Sequence, residues 1–173
     1  MLILVRHAAP AYGADVPPEQ WELDSATGRP AAQALALLLP AGACLVSSRE
    51  PKARQTLEPS GPVTTDERFN EVVRDEPYEG DFRTRRRAYV NGVDHVGWES
   101  RADVIARFGA GVDEWLHTAG ARPLVIASHG MAIALWLTAS IGLADPGAFW
   151  SELQMPDRLE VDLSDRTVRR IAG

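Results

Sequence analysis

Leu2-Ile3-Leu4-Val5-Arg6-His7 places four apolar residues in unbroken succession and then, without a spacer, a cation and an imidazole. A run that is apolar at every position reads as a strand covered on both faces, not as an edge strand with one wet face. Ala43-Cys44-Leu45-Val46, the short Pro62-Val63-Thr64-Thr65 and Leu124-Val125-Ile126-Ala127 read the same way. Between the first two, Ala31 to Leu39 is rich in strong helix formers, begins after Pro30 and stops at Pro40, which completes a β–α–β unit. Ile105, Phe108, Val112, Trp115 and Leu116 fall at helical spacing opposite Asp103, Arg107, Asp113 and Glu114, predicting an amphipathic helix from Ser100 to Thr118. Met131 to Ile141 is apolar nearly all round, as a buried helix requires. Arg158 to Leu163 alternates and meets Thr167 to Ile171 across Ser164-Asp165-Arg166, a hairpin pattern. Ala9 to Gln20 and Arg74 to Gly97 are heavily punctuated and read as surface loops or short helices. The alternation predicts an α/β fold: a single three-layer α/β/α domain over residues 1–173 with a mainly parallel central sheet.

The 173 residues are 45% hydrophobic and 24% charged, enough for one sizeable core and too few for two ordinary domains. Eighteen Lys and Arg against 24 Asp and Glu give a formal charge of −6. That balance removes the broad attraction on which non-specific nucleic-acid binding depends, so no nucleic-acid partner is expected. Cys44 is alone, which excludes an internal disulfide and a cysteine metal cage and accords with a cytoplasmic setting. The apolar run at Leu2 meets Arg6 before it reaches the ~7 residues of an export signal, so no export is expected. Leu124 to Ala144 carries no Asp, Glu, Lys or Arg, yet Ser128-His129-Gly130 interrupts it where a lipid-facing helix carries hydrocarbon, and no membrane partner is expected.

In an open parallel sheet a ligand binds beyond the carboxyl ends of the strands. Here those exits are polar: Arg6-His7, Ser47-Ser48-Arg49 and Ser128-His129-Gly130. Two histidines from distant parts of the chain thus meet over one crevice.

These residues carry a resemblance. Leu4-Val5-Arg6-His7-Ala8 is similar to the Arg-His-Gly motif of the histidine phosphatase (phosphoglycerate mutase-like) superfamily, and Ser47 to Thr56 resembles its Ser-Ser-x-x-x-Arg-Ala-x-Gln-Thr segment. Asp66 to Val72 resembles the segment ending in the family's catalytic acid, and Ser128-His129-Gly130 its second histidine motif, all four in the family's order. The resemblance implies a phosphoglycerate mutase-like fold and a histidine acid phosphatase-type, metal-independent hydrolase without a cofactor. It further implies His7 as the nucleophile that becomes phosphohistidine, Glu71 as general acid and then base, and His129 as the third catalytic group. Arg6, Lys52, His129 and the Gly130 amide are the implied phosphate donors. The expected substrate is a small-molecule phosphomonoester, a phosphoprotein being the other option.

Departures from the pattern matter. Lys52 stands where the family has arginine, replacing a rigid fork by a point charge; Arg54 is the neighbouring alternative, but Ala53 and Gln55-Thr56 favour Lys52. Ala8 replaces glycine, and Ala9-Pro10-Ala11-Tyr12 replaces the polar residues found in mutases. A compact chain that admits water to the phosphoenzyme favours hydrolysis over a mutase-type phosphotransfer. Two further rivals are a metal hydrolase built on His7, His129 and nearby carboxylates, and a weakly catalytic phosphate- or phosphoprotein-binding module. Glu71 competes with Asp66, Glu67, Asp75 and Glu76 for the acid role, and Arg83 to Arg87 is either a solvated helical face or a basic rim. His95 and His117 read as structural or surface residues, and Trp21, Trp98 and Trp150 as candidates to line a pocket.

Overall fold

The computed structural model describes residues 1–77 and 80–171. Its main elements are β1 (Leu2–Arg6), α1 (Gly28–Ala36), β2 (Cys44–Ser47), α2 (Pro51–Leu57), β3 (Thr64–Thr65), α3 (Phe82–Val90), α4 (Arg101–Ala119), β4 (Leu124–Ser128), α5 (Gly130–Ile141), α6 (Pro146–Glu152), β5 (Asp157–Asp162) and β6 (Thr167–Arg170). The strands form one sheet in the order β3-β2-β4-β1-β5-β6. β3, β2, β4 and β1 run parallel, and the β5–β6 hairpin adds antiparallel to the far side of β1.

Alternate residues of the central strands feed two cores, as a two-period strand covered on both sides must. Ile3, Val5, Leu45, Val125 and Ala127 pack against Leu35 of α1 and Ala53 and Leu57 of α2. Leu2, Leu4, Val46, Leu124 and Ile126 pack on the other face among residues of α3, α4, α5 and α6. The charge-free stretch from Leu124 is divided between a strand and a twelve-residue helix. No helix among the described residues is long and apolar enough to cross a membrane.

Helix ends follow local chemistry. Ser100 Oγ accepts from the Asp103 amide at 3.1 Å and caps α4. α1 is displaced from its expected bounds: it starts at Gly28, with Pro30 inside the first turn, and stops at Ala36. Proline fits there because the first-turn amides have no helical acceptor. Beyond Ala36 the amides of Leu37 and Leu38 bond three residues back, tightening the chain before Pro40. α6 is not foreseen in the sequence, although Asp145-Pro146 is a start signal; Asp145 Oδ1 accepts from the Ala148 amide at 2.8 Å. The segment from Arg74 to Gly97 contains α3, capped by Asp81, while Tyr78 and Glu79 lie outside the described residues.

Gly28 lies against the segment that follows β1. A Cβ there would come within 2.1 Å of the Ala9 carbonyl oxygen and 3.3 Å of the Leu23 Cβ. Gly28→Ala is expected to lower the unfolding free energy by about 1–3 kcal/mol, the usual consequence of forcing a carbon into filled space. Urea denaturation measures it, and an unchanged midpoint would show that the contact relaxes freely.

Candidate active site

β1 and β4 pair in parallel with Arg6 opposite Ser128, so the residue after each strand, His7 and His129, emerges at the carboxyl ends of the two central strands. The His7 amide donates to the Ser128 carbonyl at 3.0 Å, continuing the ladder one step past the strands. The imidazole centroids are 5.0 Å apart, close to the spacing of adjacent strands. The structure therefore brings together the two histidines expected to meet.

His7 Nδ1 lies 2.8 Å from the Ala8 carbonyl oxygen. A carbonyl only accepts, so Nδ1 carries the proton and Nε2 keeps its lone pair. Burial, then the nearby His129 and Lys52, hold His7 well below the ordinary histidine range, and the ring is neutral. The following backbone is fixed by the Gln55-Thr56 pair: Thr56 Oγ1 accepts from the Ala8 amide at 2.9 Å, and Gln55 Oε1 from the Leu23 amide at 2.8 Å.

His129 is fully buried. Its Nε2 lies 2.7 Å from Ser48 Oγ, at the exit of β2, and 3.3 Å from Glu50 Oε1; Nδ1 has no hydrogen-bond partner among the described residues. Burial first, and then the Lys52 charge, push this ring well below the usual histidine range, with Glu71 opposing. Lys52 points inward from α2, donating to Glu50 and, at 2.6 Å, to the Pro18 carbonyl. Arg54 faces outward and pairs with Glu58 at 2.6 Å, so Lys52 is the cation of this segment that lines the cleft.

Arg6 ends β1. Its guanidinium donates to the Leu153 carbonyl at 2.6 Å, while Nε is buried without a hydrogen-bond partner among the described residues. Burial lowers its affinity for its proton, opposed chiefly by Glu71, but an arginine stays charged. Gly130 opens α5. A Cβ there would lie 3.0 Å from Trp150 Nε1 and 3.4 Å from Arg6 Nε, so glycine lets both side chains close on the helix start. Glu71 Oε1 accepts from the Val72 and Ala132 amides at 3.0 and 3.1 Å, and Oε2 sits 3.4 Å from the Met131 amide.

His7, Glu71, His129, Arg6, Lys52 and Gly130 all line one cleft of about 370 Å³. Farther out, Arg74 and Arg86 face it through the buried Glu76, which accepts from them at 3.0 and 2.9 Å. The Arg83 to Arg87 run is thus divided: Arg86 belongs to the cleft, whereas Arg83 and Arg87 are exposed. Trp21 and Trp150 line the cleft; Trp98 instead packs on Tyr89 and under Arg74. His95 stacks on Tyr89, and His117 lies exposed on α4. Of the rival carboxylates, Asp66 holds Arg68 and the Trp115 indole, and Glu67 holds Arg49. Glu50 is the group that sequence reasoning missed. Its signal was faint: a glutamate at the N-cap of α2, where Ser, Thr, Asp or Asn is usual, whose side chain makes no capping bond.

A family model described as the histidine phosphatase superfamily, branch 1, matches residues 2–161. Among solved structures, mycobacterial hydrolase 1 is 26% identical with a TM-score of 0.70, covering 99% of this chain and 96% of that one. A mycobacterial glucosyl-3-phosphoglycerate phosphatase is 26% identical with a TM-score of 0.69, covering 98% and 95%. YhfR of Bacillus stearothermophilus, 20% identical with a TM-score of 0.70 over 98% and 94%, shares the fold. No curated protein gives a significant match.

Burial holds both cleft imidazoles well below the ordinary histidine range in the fold, whereas in the unfolded chain each takes up a proton below about pH 6.5. The unfolded state then binds more protons, so stability is full above that pH and falls as pH drops from about 7 toward 5, by at most ~1.4 kcal/mol per pH unit for each histidine. Urea unfolding over this range is expected to show a shallower pH slope in the His7→Gln/His129→Gln double variant than in the wild type. Equal slopes would mean that the rings titrate as in water.

Proposed function

The chain belongs to the histidine phosphatase superfamily, and from that membership we propose that it hydrolyses small phosphomonoesters in the cytoplasm through a phosphohistidine on His7, without a metal ion or other cofactor. The observation that carries the mechanism is the pair of imidazoles 5.0 Å apart, one with its Nδ1 proton committed to a carbonyl, in a cleft ringed by cations.

The chemistry follows from the residues. His7 Nε2 attacks phosphorus in line, the new N–P bond forming as the P–O bond to the leaving group breaks. Negative charge on the three equatorial oxygens is met by Arg6, Lys52, His129 and the Gly130 amide, donors held in place before the reaction begins. Protonated Glu71 gives its proton to the departing alkoxide, and as carboxylate then takes one from the water that attacks phosphorus. The N–P bond breaks, His7 regains its lone pair, and inorganic phosphate leaves.

Hydrolysis is favoured over return of the phosphoryl group to an acceptor. The cleft mouth carries Tyr12 and Val73, 60% and 70% exposed, so water reaches the phosphohistidine. A leaving group extending outward meets Arg74 and Arg86 on one side and the edge-to-face pair Tyr12 and Trp21 on another. This mixed wall suits a small organic phosphate with polar or anionic substituents, a class to which the substrate named for the mycobacterial neighbour belongs.

His7→Ala is expected to lower kcat on p-nitrophenyl phosphate by at least about a thousandfold while retaining phosphate binding. Rapid quenching into base with labelled substrate should trap a phosphoenzyme in the wild type and none in the variant. Residual kcat within tenfold of the wild type would remove His7 as nucleophile, and loss of activity on chelation would reject the metal-free scheme. Glu71→Gln is expected to slow an alkyl phosphate by about 10²–10⁴-fold and an aryl phosphate far less, because only the poor leaving group needs the proton. Equal losses on both esters would move the acid role elsewhere.

A further inference from the structure

Glu50 is 7% exposed and is held entirely by groups of the cleft. Oε2 accepts from the Lys52 ammonium, while Oε1 accepts from the Glu71 amide at 2.7 Å and lies 3.3 Å from His129 Nε2. One carboxylate thus touches the lysine, the second histidine and the backbone of the general acid. We infer that Glu50 is a positioning residue, which aims Lys52 and His129 as joint donors to one phosphoryl group; this rests on the reading of the cleft as a phosphoryl site.

Lysine is a poor substitute for arginine at an anion because its ammonium rotates and has no fixed fork. Here the rotation is removed. The ammonium has three N–H donors, of which Glu50 takes one and the Pro18 carbonyl a second, leaving the third for the anion. The same carboxylate acts on His129. Oε1, 3.3 Å away, only accepts and so draws a proton onto Nε2, whereas the Ser48 hydroxyl at 2.7 Å serves that nitrogen as donor or acceptor alike. A second proton on Nδ1, which has no partner among the described residues, makes the ring an imidazolium lying between the Glu50 charge and the bound phosphate. Glu50 thereby allows a buried ring to become a cationic donor only when an anion arrives. A buried ion pair with a purely structural task needs no such arrangement: Lys52 would be neutralised equally well by a carboxylate remote from His129.

Several charges face this group: Lys52 from α2, Arg6 and His7 from the end of β1, Glu71 and Arg74 from the segment after β3, and Arg107 from α4. The pH dependence is therefore read as a difference between variants that share all of them. Inorganic phosphate binding is measured by calorimetry from pH 5.5 to 8 for the wild type, Glu50→Gln, Lys52→Arg, their double variant and His7→Ala, alongside kcat and KM on p-nitrophenyl phosphate. Glu50→Gln is expected to weaken phosphate binding by about 10- to 100-fold, the loss of a charge-assisted hydrogen bond. It should also move to lower pH the range in which binding strengthens on acidification. In the Lys52→Arg background the loss should be smaller, because the guanidinium brings its own orientation. Phosphate binding within twofold of the wild type, with an unchanged pH profile, would overturn the inference even if thermal stability fell. If Glu50→Gln does not fold, Glu50→Asp keeps the charge but not the reach, and unchanged phosphate binding in that variant would overturn it equally. A wild type that binds phosphate but hydrolyses no ester defeats the phosphatase reading alone and leaves Glu50 to the binding data. One that binds no phosphate defeats both.

Discussion

The parallel pairing of β1 with β4, Arg6 against Ser128, is the constraint from which the site follows. Two residues 122 positions apart become neighbours because the strands that precede them run in the same direction, in step, and end together. A slip of one residue would turn every side chain of a strand to the opposite face, so the two cores that bury Leu2 and Leu4 on one side and Ile3 and Val5 on the other also fix the register. The histidines are thus aligned by the hydrophobic pattern of strands whose one residue in the cleft is Arg6, at the very end of β1.

Burial then determines what those groups are. In water a histidine near neutrality is a mixture of forms. Past the end of β1, desolvation and neighbouring cations keep His7 in the form that has a lone pair to give, and the Ala8 carbonyl selects which nitrogen presents it. The surrounding cations are compensated at short range: Lys52 by Glu50, and Arg74 and Arg86 by Glu76. A charged cavity of this kind survives inside an acidic molecule because Lys52, Arg74 and Arg86 each have a carboxylate in contact, while Arg6 is held by a carbonyl and Glu71 by backbone amides.

Much of this was legible in the order of the residues. Apolar runs marked β1, β2 and β4, helical spacing marked α4, apolarity nearly all round marked α5, and the strand exits pointed to Arg6, His7, His129 and Gly130. These signals are local, or become so once a parallel sheet is assumed. α1 slipped by three residues because a proline inside a first helical turn leaves the same trace as a proline preceding it. α6 is only seven residues long and amphipathic over too short a span to show a period. Glu50 was invisible for a deeper reason: whether a carboxylate faces water or a buried lysine depends on Pro18, Glu71 and His129, all far from it in sequence.

The residues at the cleft mouth come from segments outside the sheet: Tyr12 and Trp21 from the stretch after β1, and Val73 and Arg74 from the stretch after β3. Below them, Arg6, His7, His129 and Gly130 belong to strand ends and to the start of a helix buried along most of its length, with Lys52 added from α2 and Glu71 from the beginning of the stretch that carries Val73. Evolution can therefore rewrite the mouth to admit a different organic group with little effect on the chemistry below. A lineage built on this frame can diversify in diet while its reaction stays the same.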